Sequence, residues 1–192
     1  MRRAAILLLI LPLAGGVPAL AGAARSAPVP AEWQTFDVLV DFENLPRTYS
    51  CDDLWYRFRD VLLQLGARAY MTITPYDCGY PGGGAARSPH VEVEFQLPRV
   101  LHGAATRYAQ LSVVDASVRL APGSPRSLDA HDCDLVTQLE GTLFAALPLQ
   151  IERSDFHCSA SPPSFALTVD ARVAAPAAGT SPAAAAATVS QR

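Results

Sequence analysis

The chain has 192 residues, of which 50% are hydrophobic and 17% are charged, and its formal net charge is −3. Its basic residues other than histidine are all arginines, and they are spread along the chain instead of forming a block. This balance argues against nucleic acid or an anionic membrane surface as a partner, and the absence of lysine beside abundant alanine and proline is typical of a GC-rich bacterial genome.

Residues 1–21 have the pattern of an export signal. Two arginines follow Met1, residues 4–13 are almost entirely aliphatic, and small residues lead to Ala21 and Ala23. This order predicts a Sec-type signal peptide cleaved after residue 21 or 23, with an uncleaved anchor as the alternative. The aliphatic stretch is too short to span a bilayer of about 30 Å as a helix. We therefore expect a periplasmic or secreted protein with no integral membrane segment after cleavage.

The first half of the mature chain has the pattern of a strand, a helix and two more strands. Residues 22–33, rich in alanine and proline, are a predicted flexible lead-in. Alternating apolar residues predict strands over residues 36–42, 70–76 and 90–97. Residues 77–89 are rich in glycine and predict a long flexible loop. The polar residues of the third strand should face water.

The helix of this half is predicted over residues 51–65. Ser50 and Asp53 have the spacing of a capping box at its N-terminus, and Gly66 is placed to end it. The apolar residues of the segment fall on one helical stripe. They are Leu54, Trp55, Phe58, Val61, Leu62 and Leu65. We expect this stripe, aromatic residues included, to lie in the core.

The second half repeats this order. A strand is predicted over residues 110–120, with a β-bulge or a short break near Val113 and Val114 because the apolar parity changes there. Asp129 or Asp132 can cap the next helix, which ends at Pro148. Its stripe repeats the first at an offset of 81 residues: Leu135, Val136, Leu139, Leu143 and Ala146. Further strands are predicted over residues 149–153 and 165–173, and residues 174–192 are a predicted disordered tail.

Four cysteines in an exported chain predict two disulfides. Each predicted helix leads about 20 Å away from a cysteine, and the strand after it returns a similar distance. This favours the local pairs Cys51–Cys78 and Cys133–Cys158 over the other two pairings. A metal site at the cysteines is not expected, because no C-x-x-C spacing is present.

Together the elements predict an α+β fold. We expect a two-layer sandwich built from a tandem βαββ-βαββ pseudo-repeat, with a mostly antiparallel six-stranded sheet and two helices on one face. One domain is predicted over residues 34–173, with repeat one at 34–98 and repeat two at 108–173. The structural alternative is two separate small sandwiches.

The densest polar cluster surrounds Cys133. A disulfide there could bring His131 and His157 close to Asp132 or Asp134, a set of side chains that can bind zinc or copper. The interpretation we favour is that the aspartates cap a helix and that the histidines are exposed neighbours of the disulfide. No metal or other cofactor is therefore expected.

No catalytic motif is present, since both G-x-S-x-G and H-E-x-x-H are absent. Helix capping explains Asp52 and Asp53 better than acid–base chemistry does. Residues 79–84 are rich in glycine but lack the lysine and the helix of a phosphate-binding loop. Trp33 is either a packing residue or an exposed partner contact. We therefore do not expect an enzyme.

These observations predict an exported, non-catalytic protein-binding module that presents a sheet edge or an exposed sheet face to an envelope protein. One alternative is a metal-binding protein or enzyme that uses His131 and His157 with Asp132 or Asp134. A second alternative is a protein that binds a small ligand between its helices and its sheet.

Overall fold

The computed structural model describes residues 27–78 and 87–175. Its strands and α-helices are β1 (Val29–Asp41), α1 (Cys51–Gln64), β2 (Thr72–Tyr76), β3 (His90–Val100), β4 (Leu111–Leu120), α2 (Cys133–Gly141), β5 (Gln150–His157) and β6 (Ser164–Ala174). Short 3-10 helices occur at Gly103–Tyr108, Ala130–Asp132 and Phe144–Ala146. The predicted signal peptide, residues 79–86 of the predicted loop and the predicted tail from residue 176 lie outside the described residues.

The strands form one antiparallel sheet in the order β2-β3-β1-β4-β6-β5. We call β2, β3 and β1 half-sheet one, and β4, β6 and β5 half-sheet two. In each half the strand before the helix is innermost and the strand after the helix is outermost. β1 and β2 are parallel, as expected for a helical crossover, but β3 lies between them. The sequence pseudo-repeat itself remains a prediction.

The two half-sheets are joined by three residue pairs. Residues 29–31 of β1 pair with residues 111–113 of β4, whereas β1 pairs with β3 over residues 31–41. β1 therefore begins within the predicted lead-in, and the prediction of a flexible segment is wrong for residues 29–33. Backbone hydrogen bonds hold this start in place, because Pro30 and Ala31 accept from Leu101 and Gln110 at 2.9 Å each.

A single hydrophobic core lies between one face of the sheet and the helices. Buried residues of α1 such as Phe58, of α2 such as Leu139, and of both half-sheets, such as Val93 and Leu167, belong to the same cluster. On the opposite face many strand residues, among them Glu94, are exposed. The predicted α+β class is confirmed, and the sheet is continuous instead of divided between two sandwiches.

The first helix begins and ends close to the limits that the sequence predicts. Ser50 Oγ accepts the Asp53 N–H at 3.1 Å, and the Asp53 carboxylate accepts the Ser50 N–H at 3.4 Å, so the predicted capping box is confirmed. Phe58 is fully buried, whereas Trp55 is only half-buried against the core. Gly66 follows the helix with a φ of +88°, a backbone conformation that glycine adopts without strain.

The second helix is shorter than its apolar stripe predicts. α2 ends at Gly141, and Ala146, predicted on the buried stripe, is exposed in a separate 3-10 helix. Thr142 Oγ1 donates to the carbonyl of Gln138 at 2.7 Å. A glycine followed by this β-branched, back-bonded residue ends the helix before the stripe is complete.

Besides β1, three strands differ from their predicted limits by more than one residue. β2 begins at Thr72 and leaves Tyr70 exposed, β3 continues to Val100, and β5 continues to His157. The predicted bulge or break near Val113 is wrong, because β4 is continuous and pairs with β6 in an unbroken register. Val113, where the parity changes, is the last β4 residue paired with β1. The register shift is in β5 instead, between residues 151 and 153.

Each disulfide joins the first residue of a helix to a cysteine just after the end of a strand. Cys51 is bonded to Cys78 with 5.2 Å between the Cα atoms, and Cys133 to Cys158 with 5.3 Å. These are the local pairs that the sequence predicts.

In the described ranges, no helix is long and apolar enough to cross a membrane.

Candidate functional site

The polar side chains predicted around Cys133 lie where the starts of the two helices meet. Asp132 has no exposed surface. Arg57 Nε donates to both of its carboxylate oxygens at 3.0 Å, and the Tyr49 hydroxyl donates to Oδ1 at 3.0 Å. The Asp132 carboxylate is therefore occupied by protein donors and is not available as a metal ligand.

We call Arg47, Tyr49, Arg57, Asp129 and Asp132 the inter-helix cluster. The Tyr49 ring lies between two guanidinium groups, with Arg47 Cζ 4.6 Å and Arg57 Cζ 5.4 Å from its centroid. Arg47 also pairs with Asp129 at 3.2 Å. Since its arginines and tyrosine precede β2 and its aspartates precede α2, the cluster ties together the two halves of the chain.

Local hydrogen bonds place the two aspartates. Asp129 Oδ1 accepts the His131 N–H at 2.7 Å, and Asp132 Oδ2 accepts the Asp129 N–H at 2.8 Å. Together they form the capping box of the 3-10 helix Ala130–Asp132, which directly precedes α2. The aspartates thus cap the 3-10 helix, whereas Asp132, at the N-cap position of α2, makes no side-chain hydrogen bond that caps α2 itself.

The ionisation of Tyr49 and Asp129 favours a structural role for the inter-helix cluster. Burial, and then the Asp132 carboxylate, raise the pKa of Tyr49 far above its usual range, so the phenol stays neutral and donates its proton. Partial burial opposes ionisation of Asp129, but the His131 N–H and the Arg47 charge outweigh it and hold the Asp129 pKa below its ordinary value. Neither Tyr49 nor Asp129 is therefore suited to exchange a proton near neutral pH.

The other side chains predicted as possible metal ligands do not form a metal-binding group. His131 is exposed and, with Asp134, lines a shallow depression of about 240 Å³ beside the second disulfide. His157 Nδ1 lies 3.0 Å from Asp155. The described parts of the chain hold no group of three His, Cys, Asp or Glu side chains that could bind a metal ion. Asp53 caps α1, and its neighbour Asp52 is exposed.

A larger cavity, about 510 Å³, opens at the seam between the half-sheets. Leu65 at the end of α1 and Leu97 on β3 line one side. On the other side, Ala116 and Ala171 lie opposite each other in register. Two small side chains at adjacent positions leave this space open, and polar residues around it include Arg172.

A second candidate surface combines exposed acids with an exposed aliphatic side chain. It is the outer face of half-sheet one, which we define by Trp33, Asp37, Leu39, Glu92 and Glu94. Asp37 lies directly opposite Glu94, and Leu39 directly opposite Glu92. Leu39 is 58% exposed although it is a large aliphatic residue. Opposed carboxylates repel each other in a sheet, so this pairing is a local cost to folding.

Some acids on this side of the sheet have a polar partner, but the central pair has none in the part of the chain that the structure describes. His90 Nδ1 lies 2.6 Å from Asp41, and the Tyr76 hydroxyl donates to Glu92 at 3.0 Å. Asp37 and Glu94 have no hydrogen-bond or ion-pair partner among the described residues. The sequence predicts that Glu94 faces water, but only the strand register reveals that Asp37 lies beside it.

The two tryptophans occupy different environments. Trp33 is half-buried on β1, opposite Pro98, and shares the strand parity of Asp37 and Leu39. Trp55 packs against the core with its ring edge-to-face with Tyr56. Trp33 is therefore the aromatic residue at one end of the outer face, while Trp55 belongs to packing.

Comparison with known proteins found no match: no family model, no curated protein and no solved structure resembles this chain.

Proposed function

We propose that this protein is a non-catalytic protein-binding module of the periplasm or the extracellular space. It binds an envelope protein through the outer face of half-sheet one. The observation that carries the proposal is the direct opposition of Asp37 and Glu94, to which the described residues offer no polar partner, beside the exposed side chain of Leu39.

The charges of this face indicate the chemistry of the partner. A directly opposed pair of like charges destabilises a sheet by a few tenths to about 1 kcal/mol. Arginine or lysine side chains of a partner would remove that repulsion, and an apolar side chain beside them would cover Leu39. A basic segment with interspersed apolar residues therefore complements this face.

An exported location supports the same proposal. Structural disulfides persist in oxidising compartments and are rare in the cytosol, and this chain has two of them. The amino-terminal pattern of basic, aliphatic and small residues is that of a signal peptide.

The proposal is tested by site-specific photo-cross-linking in the producing organism. A benzophenone amino acid replaces Leu39, and cross-linked proteins are identified by mass spectrometry. We expect one predominant partner with a basic contact segment. The charge reversal Asp37→Lys/Glu94→Lys should abolish the cross-link while the unfolding midpoint of the protein stays near that of the wild type, because both positions are exposed.

The matched control places the same amino acid at Ser117, an exposed position on β4 of half-sheet two. It should not capture the same partner. Equal capture from both positions, or capture from position 39 that survives the charge reversal, contradicts the proposal.

A second candidate function, binding of a small polar molecule, is favoured by the cavity at the seam. Its volume of about 510 Å³ lies within the range of ligand sites, roughly 300–1,000 Å³. A thermal-shift screen with a defined library of small polar metabolites tests it. Binding that Ala116→Leu abolishes supports this function; no stabilising compound, or binding unchanged by Ala116→Leu, argues against it. Metal binding has no comparable support, since Arg57 and Tyr49 occupy the Asp132 carboxylate.

A further inference from the structure

The two edges of the sheet differ in how they are protected. β2 has five residues, and one of them is Pro75, which has no N–H to offer to another strand. β5 has eight residues without proline, has β6 as its one neighbour among the described strands, and is exposed from residue 150 to residue 154. Proteins usually block such an edge, so β5 is the edge that a further strand can extend.

The regular part of this edge is the segment after the register shift, residues 153–157. Arg153 and Asp155 lie opposite Thr168 and Ala166 and share one face of the sheet. Their side chains are 77% and 44% exposed. Ser154 lies between them, opposite Leu167, on the other face.

We propose that β5 pairs in an antiparallel manner with β5 of a second copy of this chain, with the two-fold axis at Ser154. In this register Arg153 of each copy lies opposite Asp155 of the other copy. Side chains directly opposite on antiparallel strands have their Cβ atoms about 4.5–5.5 Å apart, within reach of an ion pair. The pairing therefore forms two arginine–aspartate contacts across the interface.

The order of Arg153 and Asp155 along β5 favours pairing with a second copy in this register. Moving the axis by one residue places either Arg153 opposite Arg153 or Asp155 opposite Asp155, and like charges directly opposite are unfavourable. Within its own chain Asp155 already lies 4.0 Å from Arg153 and 3.0 Å from His157. The second copy's arginine thus adds to the row of polar side chains that Arg153, Asp155 and His157 already form on β5.

The pairing makes one continuous sheet from the six-stranded sheets of the two copies and keeps both cores on the same side. The outer face of half-sheet one, at the far end of the strand order, stays uncovered. Self-association at β5 is therefore independent of the proposed partner-binding face.

Sedimentation velocity of the mature protein, from micromolar to millimolar concentration, provides the first test. We expect a reversible dimer that Arg153→Asp weakens at least about tenfold, because like charges then face each other. The exchanged variant Arg153→Asp/Asp155→Arg should dimerise again, since it restores complementary pairs. Arg119→Asp, an exposed arginine of β4 away from the edge, is the control and should leave the dimer unchanged.

Disulfide trapping provides the second test. Ser154→Cys places two thiols opposite each other at the axis, where Cα atoms of paired strands are about 4.5–5.5 Å apart, and all four native cysteines are already bonded. We expect a cross-linked dimer after mild oxidation, and none from Ser117→Cys. A monomer at every concentration, or a dimer indifferent to both Arg153→Asp and Ser154→Cys, overturns the proposal.

Discussion

At the scale of single residues, the contact between Arg57 and Asp132 illustrates how a buried charge is tolerated. Asp132 is fully buried and Arg57 nearly so, and each satisfies the other through two hydrogen bonds of 3.0 Å. Desolvation offsets much of the attraction in such a pair, but removal of one partner leaves a buried charge uncompensated. The pair therefore fixes which surfaces of the helices meet more than it adds to stability.

We predict that Asp132→Ala lowers the free energy of unfolding by about 3–5 kcal/mol, because it leaves Arg57 buried without its counter-ion. Replacing both residues, Arg57→Met with Asp132→Leu, should recover most of this loss. Urea unfolding measures both effects. Asp134→Ala, two residues further on in α2 and outside the cluster, is the control, and its effect should stay within about 0.5 kcal/mol. A double variant as unstable as the single one contradicts this explanation.

The pH dependence of stability follows from Asp129 and Asp53. The pKa of each carboxyl is lowered from its ordinary value of 3.8, since hydrogen bonds and arginine charges outweigh the opposing effect of partial burial. A carboxyl whose pKa is lower in the folded state stabilises the protein at a pH above its unfolded-state pKa. This stabilisation is lost as the pH falls through the folded-state pKa. The unfolding midpoint in urea should therefore decrease as the pH falls below about 4.

The variant Asp129→Asn should flatten this decrease, because an amide does not titrate. Thr48→Ala, an exposed neighbour of the cluster, should retain the full acid dependence. An unchanged acid dependence in Asp129→Asn would show that other carboxylates are responsible.

At the scale of elements, local patterns predict some boundaries of helices and strands but not others. Ser50 and Asp53 mark the start of α1, and the alternation around Val93 marks β3, because capping and burial depend on neighbours in the chain. The end of α2 depends on how Thr142 bonds back to Gln138, and the start of β1 depends on pairing with β4. Neither can be predicted from periodicity, because each is decided by a contact instead of a repeat.

The end of α1 provides an element-scale prediction. A Cβ atom at Gly66 would lie 2.6 Å from the carbonyl oxygen of Arg172, and its φ of +88° disfavours other residues. Gly66→Ala should therefore lower the free energy of unfolding by at least about 1–2 kcal/mol. Gly141→Ala, where a Cβ meets no atom within 4 Å, should be neutral or stabilising by up to about 1 kcal/mol. Equal effects in thermal unfolding would contradict this assignment.

At the scale of the whole molecule, the disulfides and the sheet could be predicted, but the surfaces could not. Helix and strand lengths suffice to place Cys51 beside Cys78. The pairing of Asp37 with Glu94 requires the register of β1 and β3, and the contact of Arg57 with Asp132 joins residues 75 positions apart. The candidate surfaces therefore depend on tertiary geometry that no local spacing encodes.

Each disulfide should contribute comparably to stability, because each closes a loop of similar length, with separations of 27 and 25 residues. Cys51→Ala/Cys78→Ala and Cys133→Ala/Cys158→Ala should each lower the free energy of unfolding by about 3 kcal/mol. Urea unfolding of the two double variants checks this, and peptide mapping without reduction checks the connectivity. A negligible loss in either variant would mean that the bond does not constrain the unfolded chain.

The junction between the half-sheets also brings together the two ends of the described fold. Val29 pairs with Val113 on one side of β4, and Ala174 pairs with the same residue on the other side. The ends are therefore separated by two strand spacings, about 10 Å. A few glycines could join them in a circularly permuted chain reopened within Gly103–Tyr108, a helix with no buried residue. A tether at either end would hold the molecule by its middle and leave both flanks of the sheet accessible.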